Sequence, residues 1–359
     1  MEFPFHDITK AQARYMQLKE AIGRYKWLFK NYDQRILLTL VTTDKCTLRC
    51  DHCFEEAGPE KNTFLDAKIV DGIAKESEEI FGNYKTALIR ITGGDAFLHP
   101  QLNSIIGSFT RRRDSLGYDF LDVETNGWWA TDDEMAWSYI IDMKKLGIDM
   151  LSMTIDYFHC KQGIFDIDDH YDRINKISRE ENVPFRNINT GFGFWDGEAE
   201  EKLEEHRKTC KKCGPGGLLV SPVGRARDLP ECYWGGLHTC IAEGCRLVPP
   251  TFMGFYGTPF HTEEVTIKQD GNVYLCNSGR DFENVSLSVG NVYDNSLTDI
   301  LENPDNKIVS MIKKGGLRTL SKRAGIPIDE HWKLYGKMTP CGMCHEMLRE
   351  YGKEISERL

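Results

Sequence analysis

Cys46-Thr47-Leu48-Arg49-Cys50-Asp51-His52-Cys53 places three thiols within eight residues, spaced three residues and then two apart. Thiolates are soft ligands that favour zinc, Cu(I) and iron–sulfur clusters. A structural zinc ion, or a cluster whose irons are all bound by protein, takes four protein ligands. A local fourth is missing here: His52 lies inside the loop, and the next cysteine is Cys160. Three cysteines on one tight loop leave one iron of a [4Fe–4S] cube open to a small molecule. A zinc loop completed by a distant ligand is the competing reading.

Working outward, the loop directly follows an apolar strand, Ile36-Leu37-Leu38-Thr39-Leu40-Val41. A helix-compatible pattern over 64–82 leads to a second strand, Ala87-Leu88-Ile89-Arg90-Ile91-Thr92, and at once to Gly93-Gly94-Asp95. Helix 101–116, strand 119–124, helix 132–146, strand 150–155, helix 169–181, and strands near Phe185–Thr190 and Gly217–Val220 continue the alternation. Six strands alternating with helices predict an α/β fold with a parallel sheet, curved by right-handed crossovers into a full or partial barrel. Active-site groups then belong at the C-terminal strand ends. The cysteine loop, Gly93-Gly94-Asp95, Glu124-Thr125-Asn126-Gly127 and Asp156 all fall there.

The chain has 359 residues, room for one large domain and a smaller one. We expect a helical extension over 1–34, a barrel over 35–227 and a cysteine-rich domain over 228–359. In the last, residues 264–276 read as a hairpin ending at Cys276, and Cys341-Gly342-Met343-Cys344 precedes a short charged helix. A net charge of −10 argues against nucleic acid as a main partner. No apolar run approaches the ~20 residues that cross a bilayer, and the N-terminus lacks a signal-peptide pattern. We therefore expect a cytoplasmic location. There, the 12 cysteines point to metal binding or chemistry rather than a disulfide scaffold.

The C-x3-C-x2-C spacing after an apolar strand resembles the motif of the radical S-adenosylmethionine (SAM) superfamily. The resemblance implies a partial (β/α)6 TIM-like barrel and a [4Fe–4S] cluster on Cys46, Cys50 and Cys53 whose open iron chelates SAM. It also implies reductive cleavage of SAM to a 5′-deoxyadenosyl radical that removes hydrogen from substrate, with flavodoxin or ferredoxin as electron donor. Gly93-Gly94-Asp95 is similar to the family's turn for the SAM amino group, although the usual Glu-Pro is replaced by Asp95-Ala96. Thr125 and Asn126 resemble a methionyl or ribose contact, and Asp156 another; a simple turn and a helix N-cap are the plain alternatives. His52 stands at the family's aromatic position near adenine. Arg225 lies in a Gly-Arg-Ala segment resembling the SPASM/twitch branch, where it reaches a carboxylate or makes a structural ion pair.

That branch implies an auxiliary [4Fe–4S] cluster on Cys276, Cys341 and Cys344, with Cys245 as fourth ligand and Cys240 in reserve; a zinc site on the same sulfurs is the alternative. Cys232 and Cys160 are candidates for a thiol that donates hydrogen to a substrate radical. Two substrate classes fit: a ribosomally made peptide, favoured, with crosslink, thioether or epimerised residue as product, or a sugar or aminocyclitol that is oxidised or epimerised. The lack of a leader-binding domain before residue 35 weighs against the first. A non-catalytic cluster protein, such as an electron carrier, is the reading from another class.

Overall fold

The computed structural model describes residues 35–188, 224–229, 262–276, 279–325 and 340–359. Strand β1 (Arg35–Val41) occupies the middle of the sheet and exposes its logic. Ile36, Leu38 and Leu40 alternate with Leu37, Thr39 and Val41, and the first set is fully buried under the helices. Helix α1 (Ala67–Gly82) covers that face with Val70, Ile73, Ala74, Ile80 and Phe81. It begins where the Asp66 carboxylate accepts a hydrogen bond from the Lys68 N–H at 2.7 Å.

The alternation then runs β2 (Thr86–Thr92), α2 (Leu102–Thr110), α3 (Arg113–Leu116), β3 (Phe120–Thr125), α4 (Asp133–Leu146), β4 (Met150–Thr154), α5 (Tyr157–Cys160), α6 (Ile167–Glu180) and β5 (Phe185–Ile188). Strands β1 to β5 are parallel and adjacent in order, as the alternation predicts. The single helix expected over 101–116 is two pieces, α2 and α3. Residues 1–34 and the Gly217–Val220 strand lie outside the described residues.

Among the described residues, the sixth parallel strand is β6 (Thr262–Ile267), which pairs with β1 from Arg35↔Thr262 to Leu40↔Ile267. In the sequence this stretch reads only as the first arm of a hairpin. Both readings hold: β6 turns at Asp270-Gly271, where Gly271 adopts φ +84°, and returns as antiparallel β7 (Asn272–Tyr274). The sheet therefore runs across the expected barrel boundary in the order β10-β7-β6-β1-β2-β3-β4-β5, with β10 spanning Gly290–Asn291. Val265, Ile267, Val273 and Val289 join the barrel core.

Beyond β7, a short antiparallel pair, β8 (Asp281–Phe282) and β9 (Val285–Ser286), packs with α8 (Lys307–Ala324) and α9 (Pro340–Arg358). Tyr274, Val285, Ile308, Ile312, Leu320, Leu348 and Ile355 form this second core. Cys341 and Cys344 lie among the first five residues of α9, a 19-residue helix rather than the short one expected. Helix α7 (Leu297–Glu302) ties back to α1 through the Thr298 N–H and Glu76, at 3.1 Å. Among the described residues no helix is long and apolar enough to cross a membrane.

Candidate active site

The cysteine loop is fixed from both ends. After β2, the Gly94 and Asp95 N–H groups donate to the Thr43 and Lys45 carbonyls at 2.6 and 2.8 Å. This turn therefore seats itself on the residues that lead into Cys46. A Cβ at Gly94 would collide with the Lys45 carbonyl and stand 2.9 Å from the Ala57 side chain, so glycine is required by this close approach. On the far side, the Cys46 N–H donates to the Gly58 carbonyl at 3.1 Å and the Gly58 N–H to Asp44 at 3.2 Å.

Arg225 completes the frame. Its backbone N–H donates to the Cys53 carbonyl at 3.1 Å, its Nε to Cys50 at 2.9 Å and its Nη2 to Ala57 at 2.6 Å. It thus adds donors to the Cys50 and Cys53 carbonyls, which also accept from the Cys53 and Glu56 N–H groups within the loop, and supplies one to Ala57. Two buried-side ion pairs follow at once in sequence: Glu55 with Lys268 and Glu56 with Arg280, each at 2.8 Å. The C-terminal segment is thereby latched to the loop.

Cys46, Cys50 and Cys53 are free thiols, the first two buried and the third half-buried. Burial pushes the Cys46 and Cys53 thiols up, and the neighbouring thiols add to it.

Asp95 is an organising acceptor for the strand ends. Its Oδ2 accepts from Thr125 Oγ1 at 2.9 Å and from the Asn126 N–H at 2.7 Å, and its Oδ1 accepts from the Phe97 N–H at 3.0 Å. Burial pushes its carboxyl up to about 6, against the pull of those donors. Asn126 in turn donates through Nδ2 to Thr47 Oγ1 at 3.1 Å and to Cys46 Sγ at 3.5 Å. Thr125 Oγ1 accepts from the Gly127 N–H and from Trp129 Nε1. Gly93, Gly94, Asp95, Thr125 and Asn126 are thus one continuous patch beside Cys46.

At the end of β4, Asp156 is fully buried and caps α5 through the His159 N–H at 3.0 Å. The same Oδ1 meets His159 Nδ1 at 2.8 Å, and Oδ2 meets His52 Nε2 at 3.3 Å. Burial alone would raise the Asp156 carboxyl, but the two imidazoles hold it well below its ordinary range. Burial likewise opposes the His159 charge, yet Asp156 and then Cys50 lift it well above the ordinary histidine value. His52 stacks on Phe158 with ring centres 4.6 Å apart. Metal-ligating atoms of Cys50, His52 and His159 lie within 4.8 Å of one another.

Cys160 ends α5, half-buried, its thiol pushed up to about 12 by burial and by Asp168, Asp156 and Asp166. Cys276 is half-buried, and Cys344 is buried in the second core. Cys232, Cys240 and Cys245 lie outside the described residues. Sequence reasoning missed His159, Lys268 and Arg280. The only local signal was the Asp-x-x-His spacing of 156–159 after a strand, a common helix start.

These residues fit an iron–sulfur cluster. Three thiols held side by side, unbridged, two of them buried and one half-buried, are costly as bare thiolates, and a bound metal removes that cost. The Asn126 Nδ2–H group already faces the Cys46 sulfur.

Residues 40–207 match the radical SAM superfamily and residues 260–324 an iron–sulfur cluster-binding domain, SPASM. The chain thus carries a radical SAM domain followed by a SPASM domain, which imply SAM and [4Fe–4S] clusters as cofactors. Among curated relatives it is similar to the antilisterial bacteriocin subtilosin biosynthesis protein AlbA of Bacillus subtilis, 34% identical over 19% of this chain and 14% of that protein. It also resembles a GTP 3',8-cyclase of Lactiplantibacillus plantarum, 26% identical over 44% of this chain and 41% of the cyclase. The matches thus span well under half of either relative. Streptococcus suis SuiB bound to S-adenosylmethionine is a structural neighbour, with TM-score 0.46 and 14% identity over 83% of this chain and 73% of SuiB.

Proposed function

We propose that this radical SAM enzyme modifies a ribosomally synthesised peptide by hydrogen abstraction, giving a crosslink, a thioether or an epimerised residue. The observation that carries the catalytic part is the buried Cys46/Cys50/Cys53 loop, braced by Gly94 and Arg225 at the C-terminal end of β1. The peptide part is supported by the match to a bacteriocin biosynthesis protein. The longer match, to an enzyme named for a small molecule, GTP 3',8-cyclase, keeps a small-molecule substrate as the second reading, for which we name a sugar or aminocyclitol that is dehydrogenated or epimerised.

When bound, the cluster and SAM supply reductive carbon–sulfur cleavage and a carbon radical. The protein's part is to hold and orient. Cys46, Cys50 and Cys53 hold the cluster, and the patch of Gly93, Gly94, Asp95, Thr125 and Asn126, with His52 and Asp156, receives SAM. Cys276, Cys341 and Cys344, with Cys245, hold the auxiliary cluster.

Substrate binds on the sheet face opposite the helices. Buried Thr39 and Thr266 are register partners there, and neither hydroxyl has a partner among the described residues. Beside them run an Arg90–Glu124 ion pair at 2.9 Å and a knot of Asp122, Ser152 and Arg186. A polar group on the substrate satisfies those hydroxyls. Cys160 is the hydrogen donor for an epimerisation, since its thiol stays protonated; Cys160→Ala should cleave SAM but stall turnover, and unchanged product sinks that role. We place the enzyme in the cytoplasm, where thiols remain reduced, with flavodoxin or ferredoxin as electron donor.

Anaerobic reconstitution, iron counting and electron paramagnetic resonance with and without SAM test this reading. About eight irons per chain are expected from two four-iron clusters, one signal responding to SAM. Cys50→Ala should abolish that response. A chain whose signals ignore SAM overturns the catalytic reading. Turnover of a short precursor peptide encoded beside this gene supports the peptide class, and turnover of a sugar alone overturns it.

A further inference from the structure

On the sheet face turned away from the helices, one row of side chains crosses four strands. Thr266 on β6 is the register partner of Thr39 on β1, Thr39 of Arg90 on β2, and Arg90 of Asp122 on β3. Register partners share a face, and the residues that alternate with them, Leu38, Ile89, Leu121 and Val265 among them, lie in the core. The row is polar at every position, which packing alone does not require.

The two arginines on this face are used differently. Arg186 is committed: its Nε donates to Ser152 Oγ at 2.8 Å and its Nη2 to Asp122 Oδ2 at 2.5 Å. Arg90 is not. Its Nε lies 2.9 Å from Glu124 Oε1 but outside hydrogen-bonding geometry, and among the described residues its guanidinium donates no hydrogen bond. A fork of N–H donors without acceptors thus stands in one row with two buried hydroxyls that have no partner. The Arg90 side chain is 28% exposed while Thr39 and Thr266 are enclosed, so the guanidinium is the open end of the row.

Charge decides what the row accepts. Glu124 balances Arg90, Asp122 balances Arg186, and the buried Glu264, two residues before Thr266 on the same face, adds a further carboxylate. A carboxylate or phosphate on a ligand would bring one more negative charge into a site balanced without it. A cation would meet the Arg90 guanidinium. An uncharged oxygen fits: its lone pairs take the Arg90 N–H groups, and the threonine hydroxyls, donors and acceptors both, take the groups beside it.

We propose that Arg90, with Thr39 and Thr266 beside it, anchors the substrate by an uncharged oxygen, either an amide carbonyl or a hydroxyl. The inference rests on the reading that substrate binds on this face, and it adds the chemistry recognised there. Arg90 stands three residues before Gly93, and Asp122 three before Thr125. At ~3.3 Å per residue the row therefore lies about 10 Å below the patch assigned to SAM. Arg90 sets specificity there, by holding a part of the substrate other than its reacting carbon.

The test uses the reconstituted full chain with SAM and three small probes: N-methylacetamide for an amide, ethylene glycol for a hydroxyl and acetate for an anion. Saturation-transfer NMR reads their binding to wild type, Arg90→Lys and Thr39→Val/Thr266→Val. Lysine keeps a charge for Glu124 and removes the fork. A neutral probe should bind wild type more tightly than acetate does, and Arg90→Lys should weaken it about tenfold, the loss of one charge-assisted hydrogen bond. The valine pair should weaken it too, yet melt no lower than wild type, because isosteric removal of an unpartnered buried hydroxyl relieves a cost. Binding of the amide assigns the anchor to an amide-bearing substrate, and binding of the glycol to a hydroxyl-bearing one.

Tighter binding of acetate makes the row an anion site and overturns the inference. Neutral probes that fail to bind, or that ignore both variants, overturn it as well. A valine pair that melts well below wild type shows the hydroxyls serving the fold and overturns it too. The two readings fail separately. Cluster signals that ignore SAM, with a neutral probe that depends on Arg90, overturn the enzyme and keep the anchor; a SAM-responsive chain without such a probe loses the anchor alone.

Discussion

Gly94→Ala tests how the loop is seated. The added methyl carbon would lie 2.6 Å from the Lys45 carbonyl carbon, where ordinary carbon contacts stand near ~3.5 Å. The turn must retreat by about 1 Å, which breaks the Asp95 N–H bond to Lys45 and loosens the Gly94 bond to Thr43. Two backbone bonds at about 1 kcal/mol each and about 1–3 kcal/mol of overpacking sum to about 3–5 kcal/mol, a large share of a typical stability of about 5–15 kcal/mol. Urea unfolding of apo protein gives this loss directly, and anaerobic iron counting reports the displaced Cys46. Gly72→Ala is the control: nothing lies within 4 Å of its added methyl, and a helical alanine there should stabilise by up to about 1 kcal/mol. A Gly94→Ala chain within about 1 kcal/mol of wild type, with full iron, would refute the seating argument.

Asp95 has a folded pKa of about 6 against an ordinary 3.8. Its ionisation penalty, up to about 3 kcal/mol, is therefore present above pH 6 and relieved as pH falls toward 4. Apo wild type should gain stability relative to Asp95→Asn over that window in urea titrations at a series of pH values, and a constant difference would contradict the burial argument. Lys268→Met leaves the Glu55 carboxylate buried and unpaired, and calorimetry should register about 3–5 kcal/mol of destabilisation. The double variant Glu55→Leu/Lys268→Met should recover most of it; no recovery would mean that packing, not the charge pair, holds the latch.

Much of the barrel was legible because apolar runs and turn residues report local structure. Ile36, Leu38 and Leu40 alternate in the chain as they do in the sheet, and the strand-end positions of Gly94, Asp95 and Asn126 follow from counting elements. What local pattern cannot carry is which distant strand lies beside β1: Val265 and Ile267 read equally well as half of a free hairpin. The uses of side chains were harder to read. Arg225 serves carbonyls of the cysteine loop, and Asp156 divides its oxygens between two imidazoles. The Arg225–Cys50 and Asp156–His52 contacts join residues more than a hundred positions apart and depend on burial, neither of which has a signature in the chain; the nearby His159 had only the common Asp-x-x-His spacing.

The parallel seam between β1 and β6 sets a schedule for the newborn protein. Strand β1 leaves the ribosome among the first described residues, but its partner on one side is made more than two hundred residues later. At about 5–20 residues per second, that edge stays unpaired for roughly 10–40 s. It is a hydrophobic, ladder-ready edge, the kind that recruits other chains. Expression that outruns chaperone supply, or a fragment ending before residue 262, should therefore be lost to aggregation even when every βα unit upstream is intact.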